Sequence, residues 1–258
     1  MHIGVLTHFI LRSAIERIVA GRAETVVPEA WITRAGARFD EDVAHSATRT
    51  WDRPRAYLKV IDPLLLEHLR GESLTSDALE AARTKVIDAC TVFFADWFPW
   101  LATLRPEQFH LVDALQSLDF QGVQVYAAPD LVLRDAHATP WTVLDWKTGV
   151  TPDRAQLAAY AFWLVESHRD DPVPPQYPDI TGLSISLANA SSSLQMTMID
   201  EVGPRIHAQI DADVAFMDTH VALALRDDPG AFPPNPGAAC RSCTFAHLCP
   251  HAVSLESP

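Results

Sequence analysis

Two aspartates and a lysine carry the chemistry most legible in this chain. Asp130 follows Pro129, and fifteen residues on comes the run Asp145-Trp146-Lys147-Thr148-Gly149. Val143 and Leu144 lead into Asp145 with the pattern of a strand. Strand side chains alternate between faces, so Asp145 and Lys147 are expected on one face and Trp146 on the other. The run from Val123 to Arg134 also reads as a strand, and the polar stretch from Asp135 to Pro140 suits a hairpin connection that sets Asp130 beside Asp145. Two facing carboxylates suit Mg²⁺ or Mn²⁺, hard cations that take carboxylate, carbonyl and water oxygens. A phosphodiester is an anionic electrophile. A divalent ion neutralises it and lowers the pKa of a bound water, and a nearby ammonium helps as charge builds.

The elements that must hold these groups follow from periodicity and punctuation. Val5 to Ala20 has apolar positions at three-and-four spacing and reads as an opening helix, followed by a short extended piece from about Thr25 to Thr33. Asp40 to Trp100 is mostly helical in pattern, with Asp77 to Trp97 the longest continuous case and Ser76 its N-cap. From Phe109 to Gly149 the pattern changes to strands, and Asp153 to Ser167 reads as an amphipathic helix. The proline-rich stretch from Asp170 to Pro178 is a loop, Thr181 to Ala188 and Leu194 to Ile199 are paired strands, and Val202 to Leu225 is a long helix. A second proline-rich connector, Asp228 to Pro236, leads into a cysteine segment. The expected fold is α/β: a short mixed sheet carries the acids, flanked by the opening helix and by the helix bearing Gln156 and Tyr160. The expected divisions are an opening helix of the core at 1–24, a mostly helical insertion at 25–108, the core at 109–227 and a cysteine-rich segment at 228–258.

Composition narrows the class. A chain of 258 residues with 48% apolar content buries a full core, as one large domain or one domain with an inserted helical part. The opening apolar run ends at Arg12, Glu16 and Arg17, so neither a secretory signal nor a membrane span is expected, and the reading is of an intracellular, cytoplasmic protein. Four cysteines, three of them crowded near the C-terminus, suit metal ligation in a reducing compartment better than a disulfide framework. The formal net charge of −13 is awkward for a nucleic-acid enzyme, because Lys and Arg contacts to phosphate supply most non-specific affinity. Any grip on DNA must then be local. The expected place is Arg49, Trp51, Arg53, Arg55, Tyr57 and Lys59, cations interleaved with aromatics that hold phosphates and stack bases. A partner that delivers the DNA would reconcile such a grip with an acidic surface.

The order of motifs resembles a known family. Gly4-x-x-x-His8, Pro129-Asp130, Asp145-x-Lys147-Thr148-Gly149, Gln156-x-x-x-Tyr160, then Cys240-x-x-Cys243 and Cys249 resemble the RecB-like branch of the PD-(D/E)XK nucleases. The pattern looks most like the branch with AddB-type helicase-nuclease subunits and CRISPR-adaptation exonucleases. The resemblance implies a restriction-endonuclease-like core in which His8, Asp130 and Asp145 ligate the catalytic metal, with the backbone carbonyl of Trp146 as a further ligand. His110 is the alternative to His8. Lys147 would position the attacking water or stabilise negative charge on the phosphate, and Gln156 and Tyr160, one turn apart on one helix face, would orient DNA or the lysine. In the family the three C-terminal cysteines join a distant N-terminal cysteine around a 4Fe-4S cluster. Here no cysteine precedes Gly4-x-x-x-His8, which leaves three outcomes: a cluster completed by Cys90 or an external ligand, a Zn²⁺ site completed by His247 or His251, or an unoccupied knuckle. The function implied is a metal-dependent deoxyribonuclease acting on single strands or DNA ends, inside a helicase-nuclease or DNA-acquisition assembly serving repair, recombination or CRISPR-type processing. A non-catalytic DNA-binding or assembly module on the same fold, and a zinc-stabilised regulatory protein, are the competing readings.

Overall fold

The structure, a computed structural model, describes residues 2–48, 65–69, 71, 73–134, 140–149, 154–188 and 193–226. The first helix, α1 (His2–Val19), turns Leu6, Ile10, Leu11, Ala14, Ile15 and Ile18 into the core, as its three-and-four spacing demands. It ends at Gly21, whose φ of +65° allows a paired closure: Gly21 N–H donates to Ile18 and Arg22 N–H to Arg17, each at 2.8 Å. The extended piece expected near Thr25 to Thr33 is instead a short 3-10 turn, Ala23–Thr25, and the start of a second helix, α2 (Pro28–Thr48). Pro28 opens that helix because its fixed φ is already helical and its missing N–H has no partner to lose there.

After the single turn α3 (Leu66–Leu69) comes α4 (Ser76–Val92), capped by Thr75 rather than by Ser76: the Thr75 hydroxyl accepts from Ala78 N–H at 3.2 Å. The helix does not run unbroken to Trp97. Phe93–Trp97 widens into a π-helical turn before α5 (Phe98–Leu101), and the widening places both Phe93 and Trp97 against Trp146.

The strands are β1 (Phe109–Val112), β2 (Gln116–Phe120), β3 (Val123–Ala127), β4 (Leu131–Arg134), β5 (Trp141–Lys147), β6 (Ile180–Ser186) and β7 (Ser193–Met198). Five of them form a mixed sheet in the order β1-β4-β5-β6-β7, while β2 and β3 form a separate hairpin. The single strand expected over Val123 to Arg134 is therefore two strands in two sheets. Pro129 cannot donate to a ladder, and the break falls there. Among the described strands only β5 and β6 pair in parallel, and the helix α6 (Arg154–Ser167) makes the crossover between them.

Each face of the sheet has its own core. Leu131, Leu133, Leu144, Trp146 and Ile185 pack with α1, α2 and α4, while Val132, Trp141, Val143 and Ile180 pack with α6. The amphipathic character expected of α6 is absent: Leu157 to Trp163 are buried almost continuously, because the β2–β3 hairpin covers a further side through the Phe120–Phe162 ring contact at 4.9 Å. A long helix, α7 (Ile199–Ala224), follows β7. The chain divides into two units, 1–206 and 207–258; the sheet and everything described below lie in the first. No helix among the described residues is long and apolar enough to cross a membrane.

Candidate active site

Alternation along β5 does what its sequence predicts. Trp146 enters the core between Phe93 and Trp97, with ring centroids at 5.4 and 5.7 Å. Asp145 and Lys147 emerge together on the opposite face, where Lys147 Nζ lies 2.8 Å from Asp145 Oδ2. Asp130 stands immediately before β4, and the β4–β5 pairing brings it alongside: its Oδ2 accepts the Trp146 N–H at 2.7 Å. Its Oδ1 meets His8 Nδ1 of α1 at 2.9 Å. From α6, Gln156 Oε1 accepts a hydrogen bond from Lys147 Nζ at 2.5 Å, and Gln156 Nε2 donates to the Tyr160 hydroxyl. One connected set thus runs from His8 through Asp130, the Trp146 amide, Asp145, Lys147 and Gln156 to Tyr160, drawn from two helices, β5 and the residue before β4.

Its electrostatics are strained. The side chain of Asp145 is 3% exposed and that of Lys147 24%, so the acid is buried and the cation reaches solvent. Burial, and next the charge of Asp130, push the Asp145 carboxyl up to about 6, against the pull of Lys147 and His8. Burial works to lower the pKa of His8. The hydrogen bond to Asp130 and the charges of Asp130, Asp113 and Asp145 outweigh it, and the net shift is upward.

Among the described residues no three His, Cys, Asp or Glu side chains are already grouped as a metal shell; His8 is engaged by Asp130, and Asp145 faces Lys147. The donors nevertheless fit a hard cation. Asp145 Oδ2 is buried, and its approach to Lys147 is an ion pair without an aligned hydrogen bond. A buried carboxylate oxygen in that state carries a desolvation cost that a cation relieves. The other donors stand beside it: Asp130 Oδ2 accepts the N–H of the next residue, Trp146, and Asp130 Oδ1 meets His8 Nδ1.

The remaining sequence candidates fall elsewhere. His110 makes edge-to-face contacts with Trp141 and His168, each at 4.9 Å, and burial first, then the His168 and Arg134 charges, hold its pKa below the usual value. Cys90 is fully buried in α4 among apolar side chains, where burial pushes its thiol up to about 12; that setting disfavours the thiolate a metal needs. Arg49, Trp51, Arg53, Arg55, Tyr57 and Lys59 lie outside the described residues, as do Cys240, Cys243, Cys249, His247 and His251.

The site also contains residues that sequence reasoning passed over. Asp113, just after β1, donates its N–H to the Asp130 carbonyl at 2.8 Å from a left-handed conformation, φ +37°. Burial and then Asp130 raise its pKa, against Arg12 and His8. Ser184 and Ser186 of β6 sit in register with Asp145 and Lys147 and line the same face, and Ser186 Oγ donates to the Gly149 carbonyl at 2.8 Å. An aspartate ending an apolar strand, and serines at every second position of another, were the available signals.

Comparison with curated proteins and with solved structures gives no match. A family model described as the PD-(D/E)XK nuclease superfamily matches residues 4–250, a span that opens on Gly4 and takes in the whole set from His8 to Tyr160. By that match, over nearly the full chain, the protein belongs to the PD-(D/E)XK nuclease superfamily.

Proposed function

We propose that this protein is a divalent-metal-dependent deoxyribonuclease of the RecB-like branch, acting on single-stranded DNA or DNA ends and working with a helicase or another DNA-processing partner. The observation that carries the reading is the juxtaposition of Asp130 and Asp145, bridged through the Trp146 amide, with Lys147 at 2.8 Å from Asp145. His8, Asp130 and Asp145 would hold Mg²⁺ or Mn²⁺, with the Trp146 carbonyl as a further ligand. Such an ion, when bound, supplies charge neutralisation and a water of lowered pKa. The protein's own groups do the rest. Lys147 presents its ammonium toward the phosphate, and Asp145 and Gln156 fix its position, with Tyr160 locking the Gln156 amide. The three C-terminal cysteines, Cys240, Cys243 and Cys249, are assigned to a metal knuckle, a 4Fe-4S cluster ahead of Zn²⁺. Cys90, being buried among apolar groups, is the weaker choice for its fourth ligand.

The test is cleavage of end-labelled single-stranded and duplex DNA with Mn²⁺ or Mg²⁺, run beside Asp145→Ala and Lys147→Ala. Wild type is expected to shorten the single strand, with losses of at least about a hundredfold in both variants. Equal cleavage by all three proteins, or none by wild type, contradicts the proposal.

A further inference from the structure

A cavity of about 510 Å³ opens between α1 and α2; its lining includes neither Asp130 nor Asp145, and four arginines line it: Arg17, Arg22, Arg34 and Arg38. In a chain with 20 Lys and Arg and a net charge of −13, convergence of four guanidinium groups on one cavity concentrates positive charge that the surface as a whole lacks. Three features of the fold bring them together. Arg17 closes α1, and the turn at Gly21 folds Arg22 back over the Arg17 carbonyl. Arg34 and Arg38 are one turn apart on α2 and so share a face.

The charges within the cavity do not cancel. Its one carboxylate, Glu16, is held by Arg12 at 2.8 Å, and Arg38 faces Glu41 and Asp42 at 3.6 and 3.7 Å. Arg17, Arg22 and Arg34 are exposed and have no ion-pair partner among the described residues. Guanidinium groups so placed repel one another and match phosphate in planar, paired hydrogen bonds. The cavity also holds a flat surface: Trp31 is half-buried, packed on Phe94 with ring centroids 6.3 Å apart, and contributes to the lining.

We infer that this cavity binds a single strand of DNA, with phosphates on Arg17, Arg22 and Arg34 and a base on Trp31. The inference rests on the nuclease reading above and names a path for its substrate. Along α1 the lining runs from Phe9, the neighbour of His8, to Arg17. That is about 12 Å at 1.5 Å per residue, room for about three or four nucleotides at 3.4 Å each. Cationic grooves with interleaved aromatics hold single strands in this way without reading sequence.

The test is fluorescence anisotropy of a labelled thymidine 16-mer with the full chain in EDTA, so that binding is read without cleavage. Arg17→Gln/Arg34→Gln is expected to weaken binding at least tenfold and to lower the salt slope of log affinity by about 1.4, at ~0.7 for each phosphate no longer neutralised. Arg17→Lys/Arg34→Lys keeps the slope. If the glutamine pair does not fold by circular dichroism, Arg22→Gln, in the turn outside both helices, is expected to lower the slope by about 0.7. Unchanged affinity and slope in a folded variant overturn the inference. So does displacement of the 16-mer by thymidine monophosphate, inorganic phosphate or a poly-glutamate peptide at the concentration at which unlabelled 16-mer displaces it. Mn²⁺-dependent cleavage separates the two readings. Wild type that binds through these arginines yet never cleaves contradicts the catalytic reading alone. Wild type that cleaves with the same KM as the glutamine pair contradicts the cavity alone.

Discussion

To hold a cation as proposed, Asp145 must carry a negative charge in a place that resists one, and that conflict has measurable consequences. Its carboxyl titrates near 6 rather than at its ordinary 3.8, so between those values the folded chain holds a proton that the unfolded chain has lost. Stability therefore falls as pH rises through that window, and the whole cost is present at neutral pH. Asp145→Asn removes it. In EDTA the variant is expected to be more stable than wild type at pH 7 by ~1–3 kcal/mol, with the advantage fading below about pH 4, by urea denaturation at both pH values. A variant less stable than wild type at pH 7 contradicts the electrostatic account. At this scale sequence was informative wherever spacing alone decides direction: Asp145 and Lys147 on one face, Gln156 one turn from Tyr160. It was silent on Asp113, whose proximity to Asp130 depends on a left-handed turn after β1 and on a backbone hydrogen bond between segments seventeen residues apart.

At the scale of elements, the acids are positioned by what lies behind them. Trp146 is the largest fully buried side chain on β5, wedged against the π-helical turn by two edge-to-face ring pairs, and its amide holds Asp130. Trp146→Ala is expected to cost about 3–5 kcal/mol in urea denaturation, whereas Trp146→Phe, which keeps a ring in the slot, costs less. A loss below about 1 kcal/mol for the alanine variant contradicts the claim that this packing fixes β5. Element existence was legible and element boundaries were less so. The strand assigned to Val123–Arg134 ignored the donor that Pro129 lacks, and the extended piece before Thr33 ignored how well Pro28 starts a helix. For α6, a helix covered by sheet and hairpin keeps little solvent face, so periodicity had little to report.

For the whole molecule, an acidic chain needs its cations gathered locally if it is to act on an acidic polymer, as proposed. The residues whose pattern suits that task, from Arg49 to Lys59, are contiguous in sequence. The cluster between α1 and α2 is not contiguous, and only the packing of two helices and the turn at Gly21 assembles it. The carboxylates present the converse case, negative charges held together at a cost that a cation repays. Calorimetric titration of Mn²⁺ into metal-free wild type and Asp145→Ala at pH 7.5 tests this most directly. The account predicts saturable uptake by wild type that weakens as pH is lowered through about 6, where Asp145 takes a proton, and loss of that uptake in Asp145→Ala. No uptake by wild type, or the same uptake by both proteins, would contradict it.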